Sequence, residues 1–170
     1  MNEKKKEQLV LALAIGVLPP LWAVAAPYLG IKTGAVALIC AGLYSTNGNR
    51  FEDGLKITAG FWLGDLWAVL SLLIMEAVNW NETLELFVTL AALGALAVAA
   101  ASILEQFVFL PSWLCGWAIG LSLMSFKDLL ADKTLPLQIG IAMAVGVWYV
   151  GCGVDYVTKI LLRRKLKRGN

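Results

Sequence analysis

An all-helical membrane fold, a compact bundle of about six transmembrane helices with one or two of them short or interrupted, is what this sequence predicts. Three observations carry it. Hydrophobic side chains make up 59% of the 170 residues, only 15% are charged, and the mean hydropathy is +0.75, whereas soluble domains carry about 25% charge. The apolar residues fall in long runs, and about 20 in succession cross a hydrocarbon core about 30 Å thick, so six spans would use about 120 residues. Basic residues gather at both ends of the chain, in a tail at 1–8 and another at 163–170. The whole chain, 1–170, therefore reads as a single transmembrane domain.

The first run, Leu9 to Leu29, follows Lys4, Lys5 and Lys6. It is longer than the apolar part of a secretory signal, so it reads as a span, kinked at Pro19 and Pro20 where two backbone donors are lost. The second, Thr33 to Tyr44, is too short to cross at about 1.5 Å per residue unless it begins near Leu29. It is a marginal span or a half-helix. Ser45 to Lys56 is a polar connection with a turn signal at Asn47-Gly48-Asn49. A third run, Ile57 to Val78, ends at the polar turn Asn79 to Thr83, and a fourth runs from Leu84 to about Ser102. The fifth, Phe107 to Phe126, contains Pro111, and after the charged loop Lys127 to Lys133 the sixth extends from Pro136 to about Leu162. Proline suits the first turn of that last helix.

Threading six spans with the N-terminus in the cytoplasm places Lys4, Lys5, Lys6, Arg50, Lys56 and the C-terminal cluster inside, and only Lys32, Lys127 and Lys133 outside. A bias of this kind sets orientation in bacterial inner membranes. The C-terminal basic cluster thus reads as an anchor rather than a nucleic-acid site. Trp80 falls at the outer end of the third span, where an indole prefers to sit.

The chain contains no histidine, and Cys40, Cys115 and Cys152 are single and widely spaced. Histidine-based catalysis and the usual metal sites are excluded by that composition. No nucleophile elbow, phosphate loop or zinc-protease motif is present, so the sequence points to no enzyme and no cofactor.

Asp65, in Phe61-Trp62-Leu63-Gly64-Asp65-Leu66-Trp67-Ala68, is the most informative residue. It lies eight residues into its run, about 12 Å from the cytoplasmic end, and a carboxylate there must face the bundle, find a partner, meet water or be protonated. Asp155 sits at a similar depth in the last run, eight residues before Arg163. The two could line one polar vestibule open to the cytoplasm, although Lys159 is placed to pair with Asp155 at i, i+4. Trp67 and the Pro111-Ser112 segment are further polar-site candidates, because interrupted helices are where many transporters bind; the competing reading is that Pro111 merely starts the fifth helix in its first turn. Three glycine pairs, Gly30/Gly34, Gly60/Gly64 and Gly116/Gly120, have the spacing that lets helices approach closely in lipid.

The stretch Thr33 to Val69, with Tyr44 before an Asn-Gly-Asn turn, then Gly54-Leu55-Lys56 and Gly64-x-x-Trp67-Ala68, resembles the YcdZ-like family of small bacterial inner-membrane proteins. The Pro111 segment and the Leu135-Pro136 opening of the last span fit the same pattern. The resemblance implies a multi-span inner-membrane protein; the pattern has no acid at the position of Asp65. With enzyme motifs absent, the leading expectation is a channel or facilitator for a small polar solute, assembled as a homo-oligomer in the bilayer. The alternatives are a non-conducting accessory protein that packs against a partner and a proton-coupled carrier using Asp65.

Overall fold

The computed structural model describes residues 3–48, 50–78 and 80–166. The side chains of Lys4 to Lys6 and of the C-terminal basic cluster Arg163 to Arg168 lie outside the described ones, as do Asn49 and Asn79. Among the described residues there is no strand. The helices are α1 (Glu3–Ala25), α2 (Val36–Thr46), α3 (Gly54–Ala77), α4 (Glu82–Ile103), α5 (Leu110–Leu123), α6 (Phe126–Ala131), α7 (Leu135–Val145) and α8 (Gly153–Leu166). A π-helical stretch, Gly146–Cys152, joins α7 to α8.

Among the described residues, four stretches are long and apolar enough to cross a membrane: Gln8–Leu29, Phe51–Ala77, Glu82–Ile103 and Leu135–Val157. The protein is a helical membrane protein. The other two apolar helices are short, with 11 residues in α2 and 14 in α5, about 16 and 21 Å against a core of about 30 Å. Pro111 stands at the second position of α5, where a missing N–H costs nothing; it starts this helix rather than breaking it.

The third span begins earlier than its hydropathy indicates. Phe51–Asp53 form a 3-10 turn leading directly into α3. The Asp53 carboxylate accepts a hydrogen bond from Asn47 Nδ2 at 2.9 Å and pairs with Arg50 Nε at 3.3 Å. Polar residues that read as a loop thus clamp the end of α2 to the start of α3. Elsewhere, Asn81 caps α4 by accepting the Thr83 N–H at 3.1 Å. A capping box at Ser125 and Asp128 starts α6, and the hydrogen bonds from Ser125 hold the Asp128 carboxyl below the usual aspartate range.

The chain forms two compact units, Met1–Gly54 with Ala144–Asn170, and Leu55–Met143. In the first, α2 lies against the π-helical stretch. A Cβ on Gly146 would come within 2.7 Å of Ala37 Cα, and one on Gly151 within 2.8 Å of the Tyr44 ring. Residues five apart diverge by about 140° on an α-helix; the wider π turn brings both glycines to the α2 face.

In the second unit, α5 lies across α3 at Gly60, Gly64 and Gly116, each facing backbone of the other helix. Beside this crossing, Ala97 and Ala101 of α4 pack with Val108 and Trp113. The rings of Trp67 and Trp113 meet edge to face at 5.2 Å. Ser71 Oγ donates to the Trp67 carbonyl at 2.7 Å and accepts from Trp117 Nε1 at 2.8 Å. Removing that acceptor with Ser71→Ala leaves a buried indole N–H unpaired, so the variant should lose about 1 kcal/mol, read as a lower melting temperature in detergent. Leu86, Phe87 and Leu96 point out of α4, as lipid-facing side chains do.

In chain order the helices run long, short, long twice: α1-α2-α3, then α4-α5 and α7 through α8, with α6 as an insertion. Each short helix packs on the third helix of the other triplet, α2 on the π-helical stretch and α5 on α3.

Candidate solute site

Asp65 is the twelfth of the 24 residues of α3, about 16 to 18 Å from either end by helix rise. The apolar run alone puts it about 12 Å from one end; because α3 starts at Gly54 rather than Ile57, the carboxylate lies at the middle of its helix. It is 5% exposed.

Its surroundings come from three segments. Gly120 of α5 and Gly140 of α7 face it, and the Cβ each lacks would lie 3.3 Å from Oδ1 and 4.0 Å from Oδ2, respectively. One turn earlier on α3, Trp62 Nε1 donates to the Gly140 carbonyl at 2.9 Å and ties α3 to α7. These contacts border a cavity of about 490 Å³ lined by Trp62, Asp65, Leu66, Lys133, Pro136, Leu137, Gly140 and Ile141. That volume lies within the range of small-molecule sites.

Asp65 Oδ1 has no hydrogen-bond donor among the described residues. Lys133, in the connection before α7, lines the same cavity, and no ion pair joins it to Asp65 among those residues. A buried carboxylate without a donor costs several kcal/mol in a membrane unless a cation or a proton meets it. Asp65 lines the cavity, and its Oδ2 is the oxygen beside the lining residue Gly140. Neither α5 nor α7 carries a charged side chain, so Asp65 is the fixed charge its helices supply here.

The other sequence-derived candidates have different surroundings. Asp155 accepts from Lys159 Nζ at 2.6 Å, the i, i+4 pair that the spacing allows, and is not among the residues lining the Asp65 cavity. Trp67 donates to the Leu93 carbonyl at 3.0 Å and packs on α4 and α5. Ser112 is fully buried, its hydroxyl donating to the Phe109 carbonyl at 2.7 Å. Gly60/Gly64 and Gly116/Gly120 are spent on the α3–α5 crossing. Gly34 lies close to Ala26, whereas Gly30 (φ +77°) ends the 3-10 turn Ala26–Leu29 with nothing within 4 Å of a Cβ. A left-handed turn, not a helix contact, is what that glycine supplies.

Lys133 and the α7 residues Pro136, Leu137, Gly140 and Ile141 were not legible as site residues. Pro136 and Gly140 are four apart and share a helix face, which was the available signal. Among the described residues no three His, Cys, Asp or Glu side chains come together to hold a metal ion.

Residues 12–159 match the family described as protein of unknown function, DUF1097. The chain belongs to the DUF1097 family. The matched region includes Asp65, Gly120, Lys133 and Gly140. No curated protein and no solved structure matches this DUF1097 chain.

Proposed function

We propose that this DUF1097 protein is a facilitator that carries a small polar solute across a bacterial inner membrane, with the Asp65 cavity as its solute site. One observation supports the reading above the others: a carboxylate at the middle of a membrane-spanning helix, with an unmet oxygen, lining a cavity. An ionisable residue at that depth is a functional group by default. Solute sites of many membrane transporters lie near the midplane beside helices that do not cross fully, and α5, the short helix, brings Gly120 to Asp65.

The basic residues support cytoplasmic termini, and the YcdZ-like resemblance supports the inner membrane. In that orientation the connection bearing Lys133, which lines the cavity, is external. The runner-up, a non-conducting accessory protein, predicts no flux at all. A proton-coupled carrier predicts flux that follows a pH gradient.

Stopped-flow light scattering on proteoliposomes tests these readings together, with urea, glycerol, formamide, methylammonium and water as probes. We expect at least one solute to enter tenfold faster than in protein-free vesicles, and Asp65→Asn to abolish the gain. Folded, correctly inserted protein that accelerates none of them would overturn the facilitator reading in favour of the accessory one.

A further inference from the structure

Resting on the Asp65 cavity as the solute site, we propose that its solute is a small organic monocation, an ammonium or amidinium carrying an apolar body. Charge comes first. Asp65 and Lys133 are the charged groups of the cavity lining, and the carboxylate is the deeper of the two, with Oδ1 lacking a donor. An anion would meet that carboxylate unshielded, and a neutral polyol would leave its charge uncompensated; a single positive charge bearing N–H groups meets both needs.

Size and wall chemistry separate an organic cation from a metal ion. Divalent ions take about six to eight oxygen ligands, and the lining offers one carboxylate. The volume of about 490 Å³ is many times the ~30 Å³ share of a water molecule, so a bare ion would leave most of it unfilled. Leu66, Pro136, Leu137 and Ile141 present apolar surface to whatever the charge is attached to, and the Trp62 indole adds a face that attracts cations. Gly120 and Gly140 place no side chain of their own against the carboxylate.

Lys133 shapes entry without closing the site to cations. It is exposed at the rim, where salt screens charge over about 8 Å. Lys133→Gln should therefore tighten cation binding about two- to threefold.

Titration of the purified protein in detergent, followed by tryptophan fluorescence and calorimetry, tests the class. The probes are n-butylammonium and guanidinium, set against n-butanol, butyrate and sodium. We expect saturable binding of n-butylammonium, none of n-butanol or butyrate, and at least a tenfold loss in Asp65→Asn. Leu137→Trp, which narrows the cavity from an exposed lining position and keeps the carboxylate, should weaken binding as well and serves where Asp65→Asn does not fold. Binding of n-butanol as tight as n-butylammonium, n-butylammonium binding unchanged in Asp65→Asn or in Leu137→Trp, or no binding of either cation would overturn the proposal. Binding that depends on Asp65 with no flux in vesicles would uphold the solute class and overturn the facilitator reading. Flux of a neutral solute without cation binding would do the reverse.

Discussion

Gly64→Ala should destabilise the protein by about 3 kcal/mol or more, the upper end of what overpacking does in a well-packed interior. A Cβ at that position would strike the Trp113 carbonyl oxygen and lie 2.5 Å from Trp117 N and 2.8 Å from Gly116 C. All three are backbone atoms of α5, so no rotamer change relieves the contact. The helices must separate instead, and the separation loosens the Trp113 and Trp117 contacts that seat α5. Gly16→Ala is the matching control, because nothing lies within 4 Å of its Cβ and alanine in a helix interior gains about 0.5–1 kcal/mol over glycine. Melting of the two variants in one detergent should move in opposite directions. A Gly64→Ala protein that melts with the wild type would mean that α3 and α5 do not cross at this distance.

How much of this was legible depends on which physical signal each feature leaves in the chain. The helical membrane class was legible because spans need long apolar runs, and those runs survive any detail of packing. The length of α5 was not. Phe107 and Met124 are as apolar as the helix between them, and only the extended backbone at Met124 ends it. The start of α3 was missed for the opposite reason. Glu52 and Asp53 are polar because they begin a helix, and hydropathy alone cannot tell a helix start from a loop.

The site divides in the same way. Asp65 stands out because a carboxylate in an apolar run has few structural explanations. Its company does not, since Gly140 lies 75 positions along the chain and spacing rules reach only within one helix. The glycine pairs of α3 and α5 announced close approach without naming a partner; that each is the other's partner is a tertiary fact. The π-helical stretch leaves a trace in the sequence, glycines five apart at 146 and 151, which match no single α-helical face.

Asp65→Asn should give a protein that melts higher than the wild type while losing its solute. The two side chains have nearly the same shape, so packing against Gly120 and Gly140 is kept. What changes is the fixed charge: a carboxylate whose Oδ1 meets no donor is replaced by a neutral amide that is far less costly to hold in apolar surroundings. The gain should be about 1–3 kcal/mol, the range seen when a buried unsatisfied group is relieved. Functional positions are where a chain retains unfavourable groups, and replacing them commonly stabilises the fold at the expense of activity. A carboxylate with a structural role gives the opposite sign, because its removal would leave a partner unmet. Thermal melting followed by fluorescence-detected gel filtration reads that sign. A lower melting temperature for Asp65→Asn would assign the carboxylate to the framework of α3, α5 and α7, whereas a higher one together with lost flux would tie it to the solute.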